Sequence, residues 1–274
     1  MKLRLAERVL VAYASIIVVT AVVRAQAVPG NWGVAIGHAL VILLVWLVAR
    51  HGTSRWITTL RELLPLLLLP ALYASLDVLN AGGRPIRDAV VLRWEEWLFG
   101  GQPSRDWWQS HPSRFWSTVL HGVYLLYYPL VALPAFALAW HQDWAALRWF
   151  VRNVVVTFCL CYLVFAFFPV TGPYYQFRHP TGPFAETPTA RLVYASLVGG
   201  SSYGAAFPSS HVAATFAAGI AAWKGWRALG VVLVLPVLLM PIATVYCQMH
   251  YAVDALAGVA LGILVSLGSA KLDS

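Results

Sequence analysis

Apolar runs of membrane-crossing length dominate this chain of 274 residues. A bilayer-spanning helix needs about 20 consecutive, mostly apolar residues. Eight such stretches are present, at approximately 6–24, 32–49, 60–80, 115–139, 150–168, 209–223, 229–247 and 251–269. Hydrophobic residues make up 60% of the chain and charged residues 11%, against about 45–50% and about 25% in a soluble domain. A chain of this size has too little interior to hide that much apolar surface. The expected fold class is therefore all-α, a polytopic membrane helical bundle of about eight transmembrane helices. Disordered, collagen-like, coiled-coil and soluble Rossmann-type folds are excluded. The 13 Trp and 12 Tyr suit aromatic belts at the two interfaces. Prolines at 65, 70, 129, 134 and 236 fall inside spans, where neighbouring helices re-satisfy the backbone.

Eight spans place both termini on one side. That side carries 11 basic and four acidic residues, a net of +7, while the other carries eight Arg against seven acids, a net of +1. The positive-inside rule makes the termini cytoplasmic. The long connections 81–114 and 169–208 then face the exterior. The overall charge of +8 comes from scattered residues with no common stripe, so nucleic acid is not an expected partner. The run Val9–Val23, with Lys2, Arg4 and Arg8 ahead of it, begins like a signal peptide. With so many spans following, a retained first helix is the simpler reading. Cys159, Cys161 and Cys247 form no disulfide or zinc pattern. In Asp88–Gly100, Trp94, Trp97 and Leu98 alternate with Arg93, Glu95 and Glu96, which predicts a helix lying on the interface. The stretch 169–208 reads as a long irregular connection, rare in a compact domain unless it serves function.

That connection runs into Phe207-Pro208-Ser209-Ser210-His211. Pro208 suits the first position of a helix. The free N–H groups of the next residues, with the hydroxyls of Ser209 and Ser210, make an anion site within reach of His211. The alternative is a plain capping sequence with a bystander histidine. The second fragment is His250-Tyr251-Ala252-Val253-Asp254. His250 and Asp254, four apart, share a helical face, so Asp254 can bind one ring nitrogen and leave the other as nucleophile or base. Here the alternative is a buried polar pair joining helices. Topology puts both fragments at the exterior face. One histidine could then attack phosphorus while the other protonates the departing oxygen. A zinc site of two His and one Asp is a rival.

Pro-Ser-Ser-His followed by His-Tyr-Ala-Val-Asp resembles the type-2 phosphatidic acid phosphatase superfamily. The resemblance implies a core of six membrane helices, a lipid-linked phosphate substrate, a phosphohistidine intermediate and no cofactor or metal. It implies His250 as nucleophile, Asp254 as its partner and His211 as the acid for the leaving group. Ser210 stands where the usual motif has Gly. Ala243 and Thr244 stand where Ser-Arg is usual, so the expected phosphate-binding Arg is missing. In that respect, and in Trp94-Glu95-Glu96-Trp97-Leu98-Phe99-Gly100, the chain also resembles the inositol phosphorylceramide synthase branch and its distant bacterial relatives. That likeness implies residues 60–274 as catalytic core, residues 1–59 as two added helices, and a bacterial inner membrane as the location.

The usual Lys-x6-Arg-Pro motif is also absent. By position its place falls in 168–180, and Arg178 is the first choice for a phosphate clamp, since a guanidinium presents a rigid fork to phosphate oxygens. Arg191 is the second choice. Arg84-Pro85 matches the Arg-Pro pair but lies two spans early. Each Arg could equally be an interface residue touching headgroups. Tyr174 and Tyr175 read as belt residues or substrate ligands, and Asp77 as an interface residue or a partner of Arg84 or Arg87. The implied reaction moves a lipid-linked phospho-headgroup to a hydroxyl acceptor, or to water in a lipid phosphatase. The expected partners are a membrane lipid phosphate and, for transfer, a hydroxyl-bearing acceptor, with no obligate protein partner. A transporter predicts paired broken helices, which the pattern does not contain.

Overall fold

The computed structural model describes residues 3–50, 54–81, 86–200 and 202–271. The long helices are α1 (Leu5–Arg24), α2 (Asn31–Arg50), α3 (Arg55–Asn80), α8 (Trp144–Phe167), α12 (Arg227–Tyr246) and α13 (Ala252–Lys271). Between them lie α4 (Asp88–Phe99), α5 (Pro103–Ser110), α6 (Arg114–Leu125), α7 (Tyr127–Trp140), α9 (Pro173–Gln176), α10 (Pro188–Gly200) and α11 (Ser210–Gly225). Among the described residues, seven helices are long and apolar enough to cross a membrane, with α6 and α7 forming one span over Arg114–Trp140. The protein is an all-α bundle whose outward faces, including Val232, Leu235, Leu264 and Leu267, are apolar and exposed.

At 16 residues, α11 is shorter than the six long helices and packs at the centre against α8, α12 and α13. Its alanines at 213, 214, 217, 218, 221 and 222 are buried. Small side chains let backbones approach closely, and α13 matches them with Gly258 and Gly262. A Cβ at Gly258 would stand 2.7 Å from the Ser209 carbonyl oxygen, and one at Gly262 2.8 Å from Phe216 Cβ. This close contact brings the start of α11 beside the start of α13, and those two starts carry the polar fragments.

Several expectations are corrected. The third helix begins at Arg55, capped by Ser54, whose hydroxyl accepts from Ile57 N–H. The fourth span is two helices broken at Leu126. The connection 169–208 is not irregular throughout: it holds α10, a 13-residue helix packed on α6. Pro208 is not the first helical residue. Ser209 is the N-cap, its hydroxyl accepting from Val212 N–H at 3.3 Å, and Pro208 precedes it. At 12 residues, α4 is a helix between the spans and not one of them. Its exposed face carries the apolar side chains, Trp97 at 82% and Leu98 at 49%, whereas Glu95 is fully buried. The reason is a tertiary contact described below.

Candidate active site

The ends of α8, α12 and the starts of α11 and α13 converge at one end of the bundle. Past α8, Val170 pairs with Ala205 in an isolated parallel bridge: Val170 N–H donates to the Gly204 carbonyl at 3.1 Å, and Ala206 N–H to the Val170 carbonyl at 2.9 Å. Gly204, at φ +82°, has no room for a side chain, since a Cβ would lie 2.8 Å from Pro169 Cβ. This bridge fixes the Ala206 carbonyl, which faces Nδ1 of His250 at 3.1 Å.

His250 sits between α12 and α13. Its N–H and that of Met249 both donate to the Thr244 carbonyl, at 3.0 and 2.9 Å. Thus Thr244, which replaces the expected Arg, serves the loop through its backbone. Nε2 of His250 meets Nδ1 of His211 at 3.4 Å. Nε2 of His211 meets the Tyr124 hydroxyl at 3.2 Å, and the His211 ring lies against Tyr124 and Tyr127, with centroids 4.9 and 4.2 Å apart. Asp254 Oδ2 lies 3.5 Å from Nδ1 of His250 and accepts from Tyr251 N–H at 3.0 Å. The Asp254 carbonyl accepts from Ser209 N–H at 3.0 Å, a direct tie between the two fragments. Burial pushes the His250 imidazole down to about 4, so the ring is neutral at pH 7.

Two carboxylates of α4 clamp this end. Asp88 accepts from Thr171 N–H (2.9 Å), Thr171 hydroxyl (3.0 Å), Gly172 N–H (2.9 Å) and Tyr251 hydroxyl (3.0 Å). Glu95 accepts from the N–H groups of Ala252 and Val253, the first turn of α13. A carboxylate suits that place because the N-terminal donors of a helix have no carbonyl partner. That contact buries Glu95 and turns the tryptophans outward. Trp94 packs on Phe168 and Phe207, which flank the loops of the site. Desolvation raises the Glu95 carboxyl to about 7, against the two N–H bonds that lower it.

Two clefts meet at the histidines. A compact polar cleft of about 60 Å³ is lined by residues that include Thr171, Tyr174, Tyr175, Ser196 and His250. A groove of about 490 Å³ between α3, α7 and α8 is lined by Leu66, Pro70, Val131, Phe136 and Phe158, among others. Tyr73, Tyr128, Ser202 and His211 belong to both. Ser210 lines the groove, and Ser209 is spent on capping.

The structure thus brings together His211, His250, Asp254, Ser209, Ser210 and Tyr175. It does not bring Arg178 or Arg191 to the clefts. Both are exposed and neither lines either one. Among the described residues, Arg178 is tied in through its backbone carbonyl, which accepts from Gln248 Nε2 at 3.1 Å. Arg84 lies outside the described residues. Asp77 accepts from Tyr203 N–H at 2.6 Å. Asp254 and His211 approach His250 at different ring nitrogens, so the three do not converge on one point, and among the described residues no group of three His, Cys, Asp or Glu is arranged to hold a metal. Sequence reasoning missed Tyr124 and Tyr127, whose one signal is Tyr-Leu-Leu-Tyr-Tyr inside an apolar span.

A family model described as PAP2 superfamily matches residues 89–267. The chain belongs to the PAP2 superfamily. The matched segment runs from the second residue of α4 to the last turns of α13 and so contains both histidines, Asp254 and Glu95, while Asp88 lies one residue ahead of it. A PA-phosphatase related-family protein of Dictyostelium discoideum is 41% identical over 61 residues, which is 22% of this chain and 11% of that relative. No solved structure matches.

Proposed function

We propose that this protein is a membrane-embedded phosphotransferase acting on lipid-linked phosphates through a phosphohistidine. The observation that carries the reading is the contact of His211 with His250 where an apolar groove meets a polar cleft. The lipid tail lies in the groove, and its phosphate reaches the histidines. Nε2 of His250 attacks phosphorus. The N–P bond forms, the ester O–P bond breaks, and His211 gives its proton to the leaving oxygen. A hydroxyl then attacks the phosphohistidine, His211 takes its proton, and His250 is released. Nitrogens 3.4 Å apart stand closer than a phosphoryl group flanked by both requires, so the rings part as substrate enters.

Donors for the phosphoryl oxygens come from the first turn of α11, where no helical carbonyl reaches Ser210 and His211 N–H. Asp254 acts on His250 together with the Ala206 carbonyl. Residues 60–274 form the catalytic core and residues 1–59 are an addition, with the histidine end on the exterior face of a bacterial inner membrane and both termini cytoplasmic.

A second, polar cleft beside the lipid groove gives an acceptor alcohol its own approach, which favours transfer, as does the likeness to the inositol phosphorylceramide synthase branch. The phosphatase name of the Dictyostelium relative favours hydrolysis as the second reading. The test is purified protein with phospholipids and polyprenyl phosphates, with and without alcohol acceptors. Turnover that requires the acceptor supports transfer, and phosphate release without it supports hydrolysis. His250→Ala is expected to lose at least about 10³-fold in rate. Full activity in that variant ends the histidine mechanism.

A further inference from the structure

We infer that Tyr124 is a positioning residue that anchors Nε2 of His211 and so leaves Nδ1 to carry the proton offered to the leaving group. The inference rests on the phosphotransfer reading and adds to it a residue that no motif contains.

The argument is one of donors and acceptors. The Ala206 carbonyl only accepts. At 3.1 Å it requires the proton of His250 on Nδ1, and a neutral ring carries one proton. Nε2 of His250 is therefore a lone pair, as a nucleophile must be. The group facing it at 3.4 Å is Nδ1 of His211. Two lone pairs would repel there, so Nδ1 of His211 is the donor. Nε2 of His211 is then an acceptor, and the group within reach is the Tyr124 hydroxyl at 3.2 Å. The result is one directed chain, from Tyr124 O–H through His211 to His250 to the Ala206 carbonyl. Every donor in it meets an acceptor. In the other tautomer of His211, Nε2–H would face Tyr124, which can turn its hydroxyl to accept, but Nδ1 would face His250 lone pair to lone pair.

The Tyr124 hydroxyl thus anchors Nε2 of His211, donating to it in the neutral ring and accepting from it in the imidazolium. Nδ1–H of the imidazolium then faces the departing oxygen and gives it the proton, which leaves the ring neutral. The aromatic contacts with Tyr124 and Tyr127 hold the ring plane. The hydroxyl fixes which nitrogen faces the phosphorus, which is a separate role and separable by mutation. Tyr124→Phe keeps the ring and removes only the hydroxyl.

The experiment uses full-length protein and two phosphate esters that carry the same transferred group. One has an alkyl alcohol as leaving group and the other p-nitrophenol, which departs without a proton. For the alkyl ester, Tyr124→Phe is expected to lower kcat about 10–100-fold with KM within about twofold, since general acid catalysis is worth about 10²–10⁴-fold. For the nitrophenyl ester the loss is expected to be under about threefold. His211→Ala should show the same selectivity, and adding Tyr124→Phe to it should cost nothing more. Equal losses on both esters, or additive losses in the double variant, overturn the role and leave Tyr124 a packing residue. An unchanged rate on the alkyl ester overturns it as well. Tyr124→Leu removes ring and hydroxyl together, and should add a loss common to both esters to the alkyl-selective loss of Tyr124→Phe. The underlying reading is judged separately by His250→Ala, which fails on both esters if the phosphohistidine forms.

Discussion

The two ends of the bundle handle buried carboxylates in opposite ways. At the end holding the starts of α1, α3 and α8, acids meet guanidinium groups. Glu7 receives Arg61 at 2.6 and 2.9 Å, and Glu62 receives both Arg4 at 2.9 Å and Arg148 at 2.8 Å. At the histidine end, Asp88, Glu95 and Asp254 are bonded to backbone N–H groups and hydroxyls, and among the described residues no guanidinium pairs with them. Ion pairs join helices but leave local backbone free. Bonds to N–H groups fix loops in place. The first end is built to hold helices together, and the second to hold the atoms around two imidazoles.

That contrast can be broken by mutation. Asp88→Ala should have the largest effect, because it strands four buried N–H or hydroxyl donors and frees the 169–173 loop together with Tyr251. A stability loss of about 3 kcal/mol or more is expected, read by thermal unfolding in detergent, with activity per folded molecule falling as well. Glu95→Ala strands the first N–H groups of α13 and should cost about 2 kcal/mol. Its kcat should fall more than that of a variant at the other end with equal stability loss. Glu62→Gln is that variant. It leaves Arg4 and Arg148 without their shared charge, at a cost of about 1–3 kcal/mol, yet activity per folded molecule should stay within about twofold. Arg148→Gln should be the mildest, about 0–1 kcal/mol, because the side chain is 51% exposed. If Glu62→Gln abolishes turnover in molecules that remain folded, the division of labour between the ends is wrong.

pH sharpens the same comparison. Folding raises the Glu95 carboxyl from 4.5 to about 7, so the folded protein holds a proton that the unfolded chain releases. The associated stabilisation is complete below about 4.5 and is lost as pH rises through about 7. Glu95→Gln keeps an accepting oxygen without the charge. Between pH 5.5 and 8.5 the wild-type melting temperature should fall by a few degrees more than that of this variant, and parallel curves would contradict the assignment. His250 has the opposite sign. Its ring is held down at about 4, so its contribution is present above about 6.5 and lost as pH falls through about 4. The acid limb of kcat/KM for the free enzyme should lie near 4, well below an ordinary histidine.

Much of the site was legible because its chemistry is carried by short fragments. Pro208 to His211 and His250 to Asp254 named the two imidazoles, and the spans placed them at one face. The sequence reading of α4 gave Glu95 no partner, since the partner of that carboxylate is a helix start 157 residues away. Nothing in the local pattern of α4 records that partner. Tyr124 and Ala206 were missed for the same reason: one bonds His211 across 87 residues of sequence, and the other acts through a carbonyl that any residue possesses. Arg178 was chosen by counting along the chain, but α9 presents Tyr174 and Tyr175 to the cleft and leaves Arg178 exposed beyond it.

The sequence by itself determined the solvent, the fold class and the two fragments that carry the candidate histidines. Apolar runs of span length have one stable solution in a bilayer, and a histidine beside a helix start has few uses. Only the tertiary structure decided which group faces each ring nitrogen, which carboxylates serve as clamps, and where the arginines do not reach. Those outcomes depend on donors and acceptors meeting across 40 to 160 residues of chain. They are properties of packed geometry, and the periodicity of a sequence encodes only what lies within a few turns.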